Sequence, residues 1–141
     1  MLHRETIGFE EAKQGVDAVL QEQVKDPQGR GVAVAVVDDH GDLIAFARMS
    51  NASSAAGDAA ISKAYTSARS RRDTGAYVER MKQQGINIAD LANPKLSAFQ
   101  GGVCIIKPGT DQCVGGIGVS GLPADEDEAL AKKGMQSMSM G

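Results

Sequence analysis

The sequence predicts an α+β fold in which an antiparallel sheet is flanked by helices. Short β-branched runs come in adjacent pairs joined by Asp/Gly or Pro-Gly turns, and amphipathic helical stretches separate the pairs. No strand, Gly-rich loop and helix connect parallel strands, which excludes a Rossmann or P-loop nucleotide fold in spite of the 17 glycines.

Thr6 can cap a first helix, where Phe9, Ala12, Val16, Val19, Leu20 and Val24 recur at helical spacing until Lys25-Asp26-Pro27-Gln28-Gly29 stops it. Residues 32–37 and 43–49, joined by Asp38-Asp39-His40-Gly41-Asp42, read as a hairpin. Neither run alternates apolar with polar residues, so both strands are expected to be covered on both faces. Ser53 or Ser54 can cap a helix from 55 to about 70, in which Ala56, Ala60, Ala64 and Ala68 form a stripe suited to close packing. Asp73 can cap a short helix through Tyr77, Val78 and Met81 that ends before Gly85, and residues 86–94 read as an irregular connector. Residues 103–107, a Pro108-Gly109 turn and residues 113–119 make the second hairpin. A last helix follows Leu122, with Pro123 near its first turn, Asp125, Glu126, Asp127 and Glu128 at its positive end, and Lys132 and Lys133 later.

A chain of 141 residues suits one domain spanning 1–141. Its 42% hydrophobic and 23% charged content excludes disorder, and 15 Lys plus Arg against 18 Asp plus Glu argue against a nucleic-acid partner held through a basic surface. No run of about 18 apolar residues occurs and the first residues are too polar for a secretory leader, so a cytoplasmic location without a membrane partner is expected. Two cysteines and two histidines exclude a disulfide scaffold and a multi-thiolate zinc centre, and no metal site is expected. Aromatics make up only 4% and Trp is absent, so much of the core must be alanine, which buries little area per residue. Homo-oligomerisation is one way to bury more.

Candidate chemistry concentrates where the glycine-rich stretch 115–121 leads from a strand into a helix N-terminus. Free backbone amides there, at Gly116, Gly118, Ser120 and Gly121, can attract a carboxylate or phosphate, although the same glycines also suit close packing. Gly101 and Gly102 precede the other strand of that hairpin and could bring their amides near the same ligand. Arg48 could clamp a carboxylate bidentately or simply end a strand at the surface. Lys63, among alanines, reads as a catalytic amine, an anion ligand or a snorkelling side chain. Arg69, Arg71 and Arg72 compensate a helix dipole. His40 lies in a turn and His3 in a terminus, and neither belongs to a covalent-haem motif. A two-residue Pro108-Gly109 turn would set Cys104 opposite Cys113 within disulfide reach, a bulged loop would shift that register, and a cytoplasmic chain is expected to keep both as buried, inert thiols.

Residues 35–49, Ala60-Ile61-Ser62-Lys63-Ala64-Tyr65, Gly101-Gly102-Val103, residues 114–121 and Asp127-Glu128-Ala129-Leu130-Ala131, in this order, resemble the GlcG/HbpS family of haem-binding and haem-degrading-like proteins. The likeness spans nearly the whole chain. It implies a roadblock- or profilin-like α-β-α sandwich with an antiparallel sheet of about five strands, usually oligomeric, related to the C-terminal domain of the cobalamin adenosyltransferase PduO. It makes haem the candidate ligand, with the cofactor otherwise open, while other members accompany glycolate or aromatic-compound catabolism. Three functions follow. One is a small-molecule-binding protein with haem as candidate ligand. Another is a cofactor-free lyase or tautomerase in which Arg48 anchors a carboxylate, the 116–121 amides stabilise negative charge and Lys63 is the acid/base or electrophilic group. The third is a structural oligomeric adapter. The scarcity of histidine counts against an imidazole-ligated haem. The first two require the glycine segments, Arg48 and Lys63 to meet around one cavity.

Overall fold

Alternation along β1 (Ala33–Asp38) organises the protein, because its two sets of side chains face two different helical layers. The computed structural model describes residues 1–140. Val34 and Val36 join Val103, Ile105, Ile117 and Val119 against α1 (Phe9–Gln23) and α4 (Ala124–Gln136). Ala33, Ala35 and Val37 instead meet Ala56, Ala60, Ala64 and Ala68 of α2 (Ser54–Ser70). The first layer is branched and bulky. The second is almost wholly alanine, so α2 lies very close to the sheet.

The remaining elements are β2 (Leu43–Arg48), α3 (Thr74–Gln83), a 3-10 turn (Ile88–Leu91), β3 (Gly102–Ile106) and β4 (Cys113–Ser120). All strand pairs are antiparallel, in the order β2-β1-β4-β3. The sheet thus has four strands rather than about five. The long stretch between α3 and β3, carrying Gly85 and Asn93-Pro94, turns and makes the 3-10 segment, with no extended run to add a strand.

Close approach of α2 follows from the glycines of β4. A Cβ on Gly118 would overlap the Ala60 carbonyl and sit 2.5 Å from the Ala64 nitrogen, and one on Gly116 would overlap the Ala64 carbonyl and sit 2.5 Å from Ser67 Oγ. Packing therefore requires glycine at both positions, the structural of the two roles open to them in the sequence.

Several local expectations are revised. Thr6 does not cap α1, whose N-cap position is Gly8; its hydroxyl instead accepts from the Asp39 amide at 3.1 Å and so ties the N-terminal segment to the β1–β2 turn. Asp73 stands at the N-cap of α3 but its carboxylate accepts from the Cys104 amide at 2.9 Å, reaching across to β3. β1 is covered on both faces as expected, whereas β2 is partly exposed because it is the edge strand. Cys104 and Cys113 are joined in a disulfide rather than standing as inert thiols. A register shift between Ile105 and Ile106 places Cys113 opposite Ile106 and Cys104 opposite Gly116, and the diagonal Cα separation of 6.0 Å lies within disulfide range.

Arg4 donates from Nε and Nη2 to the two oxygens of Asp39 at 2.5 and 2.6 Å, and Asp39 is buried. These bonds first, and the one from Thr6 after the opposing effect of burial, hold the Asp39 carboxyl well below the usual carboxylate range. A carboxyl lowered in the folded state stabilises the fold above the unfolded-state pKa, near pH 4, and loses that contribution as pH falls. Asp39→Asn is expected to lower the melting temperature at pH 7 and to flatten its decline below about pH 4. Circular dichroism melts across pH 2 to 7 check this, a parallel downward shift at all pH values being the contrary result.

Candidate functional site

The first turns of α2 and α4 and the segment entering β3 leave a cavity of about 440 Å³ between them. Its wall includes Ser53, Ala59, Phe99, Gln100, Ser120 and Leu122, and its floor is Lys63 with Asp127. Both floor residues are nearly inaccessible, at 4% and 2% exposure, which in itself demands partners for their charges.

Those partners are present. Lys63 Nζ donates to Asp127 Oδ2 and to the Val119 carbonyl, each at 3.0 Å. Asp127 Oδ1 accepts from the Leu122 amide at 3.0 Å, so the same carboxylate that pairs the lysine also fixes the turn from β4 into α4. An ammonium has three N–H groups, and two are used by the protein. No third acceptor stands against Nζ among the described residues, and Lys63 lines the cavity. Burial pushes the Asp127 carboxyl up from the ordinary carboxylate value, against the opposing pull of the Lys63 charge and the Leu122 amide.

Lys63 reaches this place because it rides on the small-residue face of α2 between Ala60 and Ala64, where the helix is too close to the sheet for the chain to turn back to water. Gly101 makes the room above it. Its φ is +131°, which favours glycine, and a Cβ there would stand 2.8 Å from Lys63 Nζ. At the cavity mouth Ser53 is the N-cap of α2, its Oγ accepting from the Ala56 amide at 3.1 Å. Opposite it, α4 begins at Ala124, so the positive ends of two helices border one space.

Of the residues singled out in the sequence, Lys63, Ser120 and Gly121 line the cavity and Gly101 abuts the Lys63 ammonium. Gly102, Gly116, Gly118 and Arg48 are not in its lining. Gly116 and Gly118 lie inside β4, paired with strands on both sides. The Gly102 amide donates to Thr74 Oγ1, and Arg48 Nη1 donates to the Ala52 carbonyl at 2.6 Å. His40 is exposed in the β1–β2 turn, and His3 borders a separate hollow beside Lys107 and Met140. Sequence reasoning missed Asp127, reading it as one of four acids serving the helix dipole. Helical spacing held a further signal, since Asp127, Leu130, Ala131 and Gly134 form the buried stripe of α4.

Residues 7–136 match the family model described as haem degrading protein HbpS-like. The chain belongs to the HbpS-like family. It is 39% identical to protein GlcG of Escherichia coli K12 over 89 residues, 63% of each chain, so the match spans somewhat under two thirds of that relative. A double mutant of HbpS from Streptomyces reticuli superposes with a TM-score of 0.84 at 28% identity, over 99% of this chain and 91% of the other. A haem complex of PduOC superposes with a TM-score of 0.80 over 96% of this chain and 97% of the other, and at 24% identity it bears on the fold alone. A small-molecule role in the haem-related range fits these relatives of the HbpS-like chain. Among the described residues no helix is long and apolar enough to cross a membrane, and no group of three or more His, Cys, Asp or Glu could hold a metal ion.

Proposed function

We propose that this HbpS-like protein binds a carboxylate-bearing organic molecule in the Lys63–Asp127 cavity. The observation that carries the reading is the third N–H of the buried Lys63 ammonium, left over after Val119 and Asp127 have taken the other two. Ser120 lines the same cavity, and the N-terminus of α2 at Ser53 favours negative charge at the mouth, whereas that of α4 already carries Asp125 and Glu126 in its first turn. Asp127 balances the lysine, so the guest meets a neutral pair and its binding depends on hydrogen-bond geometry as much as on charge.

Such a carboxylate could belong to haem, through its propionates, or to a small organic acid. The lining includes no His, Cys, Met or Tyr side chain, and Lys63 is committed to its ion pair, so the cavity offers hemin a place for its acidic edge and no side chain for its iron. Titration with hemin, iron-free protoporphyrin and a panel of 2-hydroxy and 2-oxo acids, followed by thermal shift and calorimetry, separates the sources. Either porphyrin binding with similar affinity, or one of the small acids binding alone, is expected. In both cases Ala59→Trp, which fills the cavity without touching the ion pair, abolishes binding. Binding that survives Ala59→Trp sinks the proposal.

A second reading, a cofactor-free lyase or tautomerase on the same class of acid, draws on the pairing of a buried amine with a carboxyl of raised pKa, an arrangement suited to passing a proton. It requires turnover of a panel acid that Lys63→Met eliminates while Arg48→Ala, outside the cavity, leaves it intact.

A further inference from the structure

Among the described residues Lys63 is the only buried lysine, whereas Lys13, Lys132 and Lys133 stand exposed in ion pairs at the surface. Its nitrogen is fixed at two points, since Nζ donates to the Val119 carbonyl and to Asp127 Oδ2, each at 3.0 Å. Two such bonds set the direction of the remaining position on nitrogen. Gly101 keeps carbon away from that nitrogen just before β3, where a Cβ would stand 2.8 Å from Nζ, and Lys63 is part of the cavity lining. An oriented amine at the bottom of a cavity is a nucleophile for carbonyl carbon, and its fixed geometry lowers the entropic cost of bringing the two together.

Asp127 suits the other half of that chemistry. Its carboxyl is buried, and burial pushes it up against the pull of Lys63, so it can both balance a cation on the lysine nitrogen and exchange a proton with it. Ser53, Gln100 and Ser120 in the lining supply polar groups suited to a carboxylate.

We propose that Lys63 condenses with the keto group of a 2-oxo acid, giving an iminium whose counter-ion is Asp127. The inference rests on the reading of this cavity as a carboxylate site and narrows the guest to acids that carry a carbonyl next to the carboxylate. The lysine nitrogen forms a bond to the keto carbon as an electron pair of the C=O double bond moves onto oxygen. Two of the three ammonium protons pass to that oxygen, which leaves as water, and the third stays on the iminium nitrogen facing Asp127. Charge is conserved, because one cation opposite Asp127 replaces another, and no redox partner is needed. The iminium draws electrons from the carbon beside it, which is the activation that a lyase or tautomerase in this cavity requires.

Cyanoborohydride added to the full chain with pyruvate or 2-oxoglutarate reduces an iminium to a stable secondary amine, which peptide mass mapping locates. Label at Lys63 is expected to exceed that at the exposed Lys13, Lys132 and Lys133 by about tenfold or more, because a carbonyl bound beside one amine reacts at an effective concentration that surface lysines do not meet. Lactate, which has the carboxylate and no keto group, gives no label. Ala59→Trp brings Lys63 down to the level of the surface lysines, and unfolding in urea abolishes the preference. Label spread evenly over the lysines of the folded chain overturns the proposal, as does a Lys63 label that Ala59→Trp leaves unchanged. Calorimetry with the same acids separates this inference from the reading beneath it. Binding that Ala59→Trp abolishes, with Lys63 unlabelled, excludes the iminium and leaves the carboxylate site standing, whereas neither label nor binding of any carboxylate guest removes both.

Discussion

Gly118→Ala is expected to lower the stability of the protein by about 3 kcal/mol or more, the upper end of what overpacking a core costs. Usually a single added methyl is absorbed by a small side-chain movement. Here it meets backbone: the Ala60 carbonyl and, at 2.5 Å, the Ala64 nitrogen of α2. Neither can rotate aside, so the whole helix must lift from the sheet, opening contacts along the Ala56, Ala60, Ala64 and Ala68 stripe. Lifting α2 also carries Lys63 away from Asp127, so the loss extends beyond packing. The paired control is Gly8→Ala, at the N-cap of α1 with φ of −114° and only the flexible Glu11 carboxylate near a new Cβ; it should cost no more than about 1 kcal/mol, the penalty of alanine as the poorer cap residue. Urea unfolding of the three proteins checks the contrast, and similar midpoints for both variants would show that α2 does not sit as close to β4 as described.

The same stripe explains why much of the fold could be read from the sequence. β-branched runs, Ser53 as a cap and the alanine period of α2 each depend on residues close together in the chain, and they appear where expected. The revisions fall where the decisive partner is remote. Thr6 looks like a cap until Asp39 arrives from the far side of β1, Asp73 looks like one until β3 brings the Cys104 amide, and β2 looks doubly covered until the strand order makes it an edge. At the cavity, Lys63 was legible by residue type and Ser120 by its place in the glycine-rich stretch entering α4, and Arg48 carried the same type signal as Lys63 although it lies elsewhere. Whether Gly116 and Gly118 offered amides to a ligand or room to a helix could be decided only by seeing them paired on both sides within the sheet. Asp127 was hidden in an acidic run whose other members serve the helix end, and only its place on the buried stripe sets it apart.

Removing the partner of a buried charge should have an effect of similar size and a recognisable pH dependence. Asp127→Asn keeps an oxygen for the Leu122 amide and deletes only the negative charge facing Lys63, and Lys63→Met deletes the positive one while keeping most of the apolar stem. Each is expected to cost about 3 kcal/mol at pH 7, because the remaining charge is left buried without its counterpart. The double variant should cost much less than the sum of the two, since no isolated charge remains. In Lys63→Met the Asp127 carboxyl loses the cation that opposed the effect of burial, so its pKa in the folded state rises further. Above about pH 4 the unfolded chain then releases a proton that the folded chain retains, and stability falls as pH rises until the folded carboxyl also ionises. Lys63→Met is therefore expected to melt higher at pH 5 than at pH 8, a trend that the added Asp127→Asn substitution removes. A cycle whose costs simply add, or a Lys63→Met protein whose melting temperature shows no such fall, would mean that Lys63 and Asp127 do not share a buried charge pair, and the cavity floor would lose the donor on which ligand recognition depends.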